Sequence, residues 1–124
     1  MRIPERLKIG GHEYRVIYPY HFTERGDRGA DHDFSTKVIR IDGKDSWSHE
    51  ECPESGIAVM FLHEILHGCD LITGGGIFSG DDGEAKIERL SEALFQVLRD
   101  NKLDFAGTYG DDMRKRRACA ISEG

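Results

Sequence analysis

The most apolar stretch of the chain, Ile57 to Cys69, carries two histidines and a glutamate at its centre, as His63-Glu64-Ile65-Leu66-His67. Burying three such groups without partners is costly, so any fold this chain adopts must give them something to bind. Ile57, Met60, Phe61 and Ile65, flanked by Ala58, Leu62, Leu66 and Cys69, recur at helical spacing and cover much of a helix circumference. A largely buried helix is therefore expected over about 53–70. Pro53 suits its first position, and Glu50, Glu51 and Glu54 lie near the positive end of its dipole. Ser48 and Glu51 could instead form a capping box one turn earlier.

A spacing of i and i+4 puts both imidazoles on one helical face, one turn apart, where they can reach a single metal ion. The H-E-x-x-H pattern is that of a zinc site. Zinc lowers the pKa of a water toward ~7 and polarises a carbonyl. Glu64, beside the first histidine, can then accept a proton from that water and pass it to a leaving amine. With six histidines and eleven glutamates in 124 residues, chance would produce the pattern roughly 0.03 times, and its position inside a helical run adds to its weight.

A catalytic zinc needs a third protein ligand and an open position. In the extended pattern H-E-x-x-H-x-x-G-x-x-H the glycine place is Asp70 and the third-histidine place is Thr73, so carboxylates on a second helix are the candidates. That helix is expected over about 83–101, with Asp81 or Asp82 as its cap and a one-sided stripe at Ile87, Leu90, Leu94, Val97 and Leu98. Glu84, Glu88 and Glu92 follow one another at steps of four beside that stripe. Glu88, next to Ile87 at the stripe's edge, is the preferred third ligand, with Glu84 and Glu92 as alternatives and Asp70 and Asp81 as weaker ones. His49 and Asp45 could line the site behind the ligands. Tyr109, His49 and Arg99 are candidates for stabilising an oxyanion.

The first part of the chain reads as strands. Residues 5–9 run into Gly10-Gly11, after which His12, Tyr14, Val16 and Tyr18 alternate with Glu13, Arg15 and Ile17. A Gly-Gly pair between two such runs predicts a two-residue hairpin turn of type I′. Pro19 closes the second run, residues 20–35 have no periodicity and read as a loop, and Thr36 to Ile41 form a third strand before Asp42-Gly43. A small antiparallel sheet of about three strands, spanning about 5–42, is expected. Gly74-Gly75-Gly76 has no phosphate-loop spacing and does not follow a strand. Its mobility could let the connection over about 73–83 act as a lid. The polar tail after about 105 is weakly patterned, and its basic run Arg114 to Arg117 reads as solvated.

Phe61-Leu62-His63-Glu64-Ile65-Leu66-His67, followed after a gap by Glu88-Arg89-Leu90-Ser91-Glu92-Ala93-Leu94-Phe95, resembles the ImmA/IrrE-type metallopeptidases, especially their short phage and prophage versions. The resemblance covers roughly residues 55–101. In that family a Glu opening an E-x-x-A-N-x-F-A-like helix completes the zinc site. The resemblance thus implies Glu88 as the third ligand beside His63 and His67, with Ser91 at the small Ala and Glu92 where Asn is common. It also implies a zinc-dependent peptidase acting on a protein or peptide substrate, a phage repressor among the candidates. An extended substrate would then add to a sheet edge facing the site, for which Thr36 to Ile41 is the candidate.

Composition limits the partners. One domain of 124 residues at net charge −6 has little affinity for phosphate backbones, so nucleic acid is disfavoured as a ligand. The longest apolar run, Ile57 to Leu62, is too short for a membrane span, and Met1 to Arg6 lacks the apolar core of a secretory signal. Cys52, Cys69 and Cys119, odd in number and widely spaced, read as reduced thiols of a soluble, cytoplasmic protein. The fold expected is α+β: a minimal zincin-like domain with its sheet beside the H-E-x-x-H helix and a second helix bringing the third ligand. Two other readings stand beside an active peptidase. The zinc could be structural or the site inactive, or the fold could serve as a scaffold that binds a regulatory partner.

Overall fold

A computed structural model describes residues 2–23, 29–45 and 47–103, and the polar tail with its basic run, Tyr109 and Cys119 lies outside them. Four strands precede two helices: β1 (Arg6–Ile9), β2 (His12–Ile17), β3 (Ala30–Asp33), β4 (Val38–Ile41), α1 (Glu54–Thr73) and α2 (Gly83–Asp100). The class is α+β, as expected.

Gly10-Gly11 makes the expected two-residue turn, with Ile9 opposite His12. Only Gly10 takes a positive φ, at 60°. That is the pattern of a type II′ turn, whereas type I′ requires positive φ at both central residues.

The sheet differs from the expected three antiparallel strands. It has four, in the order β1-β2-β4-β3, and it is mixed, because β2 and β4 run parallel. The extra strand, β3, falls in the stretch 20–35 that reads as a loop. Its composition, Ala-Asp-His-Asp, hides a strand whose stability comes from pairing with β4, with Ala30 opposite Ile41 and His32 opposite Ile39. Thr36 and Lys37 belong to the β3–β4 turn, where the Asp33 carboxylate accepts the amides of Ser35 and Thr36 at 3.0 and 3.2 Å. β4 is consequently an interior strand, and among the described residues the edge on this side of the sheet is β3.

One face of the sheet packs on α1. Tyr14, Val16, Ile39 and Ile41 supply the sheet side of the core, Ile57 and Phe61 the helix side, and Ile9 closes it. Fully burying residues such as Ile39 and Ile41 stabilises the domain by about 1.5–3 kcal/mol each. Val16, Ile39 and His32 form one row across three strands, which carries the His32 ring onto the helix face. There it meets Gly68, where a Cβ would stand 3.1 Å from the ring and 2.8 Å from Ile9 Cδ1, so the absent side chain is what lets sheet and helix close.

α1 is less enclosed than its composition suggests: Ile57, Ala58, Phe61, Glu64 and Gly68 are buried, and most of the remaining apolar residues are half-buried. By length and composition it could cross a membrane; in this fold it lies between the sheet and α2. Pro53 is its N-cap, and Gly74 ends it in the left-handed conformation with φ 67°. No capping box forms at Ser48, because Asp45 takes the amides of Trp47 and Ser48 at 2.9 Å each.

On α2 the buried line is Gly83, Ile87 and Ser91. The stripe read from the sequence is therefore turned: Leu90 and Val97 are 44% and 42% exposed. Ser91 tolerates full burial by donating its hydroxyl to the Ile87 carbonyl at 2.7 Å. Asp82 stands at the N-cap without a side-chain cap bond and pairs with Lys86 at 3.2 Å instead.

Gly83 is the tightest contact at the start of α2, since a Cβ there would lie 1.7 Å from the Phe78 carbonyl oxygen. Alanine favours a helix over glycine by about 1 kcal/mol, yet Gly83→Ala is expected to destabilise the fold by about 1–3 kcal/mol, because backbone must move. The check is a lowered urea midpoint at unchanged m-value.

Candidate metal centre

α1 presents His63 and His67 one turn apart, and their Nε2 atoms converge to 3.1 Å. The carboxylate of Glu84, in the first turn of α2, meets both of them. Its Oε2 lies 3.1 Å from His63 Nε2 and its Oε1 2.7 Å from His67 Nε2. The ligand atoms of these three residues all fall within 4.8 Å of one another. Zinc bonds of about 2.0–2.2 Å in a tetrahedron set neighbouring donors roughly 3.3 Å apart, so the three groups already stand near the edges such a site requires. Two imidazole lone pairs and a carboxylate facing a common point are also a donor set that zinc takes readily.

Glu88 lies one turn further along α2 and lines the same cleft. Burial lowers the His63 pKa, opposed first by the charge of Glu84 and more weakly by that of Glu88. Burial thus favours the neutral ring that a metal needs. Glu92 is exposed on α2 and does not line the cleft. Between the two candidates that do, Glu84 has its carboxylate against both histidines and Glu88 stands beside them.

Glu64 is buried, at 7% exposure, and borders the cleft. Behind it sits His32 on β3, its side chain 3% exposed, with Nδ1 3.2 Å from the Glu64 carbonyl oxygen and 3.9 Å from Oε2. Since a carbonyl only accepts, Nδ1 carries the hydrogen. Burial, opposed by that hydrogen bond, pushes the His32 pKa down to about 4, so the ring is neutral near pH 7 and pairs with Glu64 as a dipole. Its Nε2 is buried without a hydrogen-bond partner among the described residues.

The cleft holds about 530 Å³ and is walled on one side by Gly29, Ala30, Asp31, His32 and Phe34 and on the other by Met60 and the α1 and α2 residues above. Asp31 is tied by an ion pair to Arg40, which lies opposite it on β4 and donates to the Tyr20 hydroxyl at 2.9 Å. His32, Asp31 and Phe34 carry no motif that marks them in the sequence as cleft residues. The one available signal was the alternation of Ala30, His32 and Phe34 with two aspartates.

His49 and Asp45 do not reach this cleft. His49 lines a separate depression with Tyr18, His21 and Asp42, and Asp45 is occupied by its own turn. Arg99, at the other end of α2, pairs with Asp100 and covers the Phe95 ring. Cys52 and Cys69 are free thiols.

Comparison with known protein families, curated proteins and solved structures finds no match.

Proposed function

We propose that this chain is a zinc-dependent metallopeptidase of minimal zincin-like architecture, hydrolysing peptide bonds in a protein or peptide substrate. The observation that carries the reading is the convergence of His63, His67 and Glu84 beside a buried glutamate at the side of an open cleft. His63 and His67 would hold the zinc with one carboxylate from α2. Glu84 is favoured for that place by contact, and Glu88 by the ImmA/IrrE-like spacing. When bound, zinc supplies Lewis acidity, lowering the pKa of water toward ~7 and polarising the scissile carbonyl. Glu64 takes the proton from the attacking water and delivers it to the leaving amine. His32, with its side chain 3% exposed, donates from Nδ1 to the Glu64 backbone carbonyl and lines the cleft beside it.

β3 offers the substrate an edge. It is the outer strand among the described residues, and Ala30, Asp31 and His32 border the cleft, so an extended peptide pairing with it would lie across the α1 face that bears Glu64. The resemblance to short phage and prophage enzymes extends the reading to a cytoplasmic regulator acting on a repressor.

The test is metal binding by carboxylate variants, read by competition with a chromophoric chelator. Glu84→Gln is expected to weaken zinc by about 100-fold or more, and Glu88→Gln by less than about tenfold. A reversed order assigns the third ligand to Glu88. Equal large losses would make a closed site with four protein ligands, the signature of structural zinc, and would overturn the peptidase reading.

A further inference from the structure

The connection from α1 to α2 is rich in glycine, and Gly74, Gly76 and Gly80 hold positive φ values of 67°, 57° and 98°. Such a segment has much conformational freedom to lose, yet it must deliver Glu84 to within 3.1 Å of two histidines on the other helix. Asp70, one turn beyond His67, reaches across to it. Its Oδ1 accepts the Ile77 amide at 2.7 Å and its Oδ2 the Phe78 amide at 3.1 Å. Its own carbonyl accepts the Thr73 hydroxyl at 2.9 Å. A carboxylate in the last turns of a helix faces the negative end of the dipole, and no basic residue stands in the last turn of α1 to offset it. Two backbone N–H donors compensate the charge and fix the turn at 77–78.

That turn touches α2 as well. The Phe78 carbonyl packs so closely on Gly83 that only glycine fits there, and Glu84 is the next residue. A continuous path therefore runs from His67 along α1 to Asp70, across two hydrogen bonds to Ile77 and Phe78, and by direct packing through Gly83 to Glu84. We propose that Asp70 is a positioning residue for the metal centre. By clamping the glycine-rich connection it sets where α2 begins and holds the Glu84 carboxylate at the two histidines. It makes the connection a fixed strut, whereas the glycines alone would suit a lid. The inference rests on the reading of His63, His67 and Glu84 as a zinc site.

The experiment compares Asp70→Ala, Asp70→Asn, Glu84→Gln and the Asp70→Ala/Glu84→Gln double variant in the full chain. Zinc affinity is measured by chelator competition, and amide hydrogen exchange at Ile77 and Phe78 is measured in the metal-free protein. Asp70→Ala is expected to weaken zinc by about 10–100-fold, and Asp70→Asn, which keeps one acceptor, by less. Because Asp70 acts through Glu84, the double variant should bind zinc within about threefold of Glu84→Gln alone. The two amides should exchange at least about tenfold faster in Asp70→Ala than in the wild type. Unchanged zinc affinity in Asp70→Ala, losses that multiply in the double variant, or amides unprotected in the wild type would each overturn the proposal. A wild-type chain that takes up no zinc overturns the site reading itself, and Asp70's role at the metal with it, whatever the exchange rates. Zinc binding with protected amides but multiplying losses overturns the positioning role alone.

Discussion

Glu64→Gln is expected to lower peptide cleavage by a factor on the order of 10³ while leaving zinc bound and the fold intact. Glutamine has the shape of glutamate, so the buried position between α1 and β3 is filled as before. It cannot take a proton from water, and that is the step assigned to Glu64. Glu64 is not among the three residues proposed to hold zinc, so metal affinity should change little. The same geometry separates this variant from His63→Ala or His67→Ala, which remove donors and should lose metal and activity together. Cleavage would be followed by mass spectrometry on a diverse peptide mixture, with zinc content and thermal melting measured on the same samples. Full activity in Glu64→Gln would sink the mechanism. Loss of activity accompanied by loss of zinc would instead place Glu64 among the ligands.

The second large effect concerns acid. His32 titrates near 6.5 when unfolded and at about 4 in the fold, where burial disfavours its charged form. Between those values the unfolded chain binds the extra proton, so stability rises with pH through this window. The contribution is complete above about pH 6.5 and falls away as pH drops toward 4. At pH 4 the loss amounts to about 3 kcal/mol at most, a large share of the stability of a domain of this size. The groups that set this behaviour are the Glu64 carbonyl and Asp31, which favour the proton, and His67 and Lys37, which oppose it. Urea denaturation of the metal-free protein at several pH values, compared with His32→Leu, isolates the contribution. The variant should show a flatter dependence between pH 4 and 6.5, and equal slopes in the two proteins would exclude His32 as the source.

The helices and the H-E-x-x-H constellation were legible because their signals are local. Spacing of four places His63 and His67 together on any helix, and Pro53 and Gly74 bracket the helix by their own backbone preferences. The hairpin at Gly10-Gly11 is local in the same sense, although its turn type depended on one φ. β3 was not legible, since Ala30 to Asp33 is held by the partner strand β4 and by the row that joins His32 to Ile39. Nor was the choice between Glu84 and Glu88. Both lie on one face of α2, and which one meets the histidines depends on where the helix is anchored along α1. That anchoring comes from Gly83, Phe78 and Asp70, all contacts between elements. The buried line of α2 departs from its apolar stripe for a related reason. Ser91 is small and satisfies its own hydroxyl, so close approach selected it over the more apolar Leu90.

The parallel seam in the sheet shapes how the chain reaches this structure. β1 with β2 and β3 with β4 are two antiparallel pairs of neighbours in sequence, each closed by a short turn, and such hairpins form in about 1–10 μs. Among the described residues these pairs meet along Arg15–Ile17 and Val38–Arg40, with flanking bonds from the Arg15 amide to the Lys37 carbonyl and the Tyr20 amide to the Ile41 carbonyl, across roughly twenty residues of chain, and closing that loop is the costly event in sheet assembly. Val16 and Ile39 meet at that seam, and His32 lies directly beyond Ile39. The encounter that completes the sheet is therefore also the one that sets the His32 wall of the cleft in register with the core, so the cleft has no assembled form before the hairpins join.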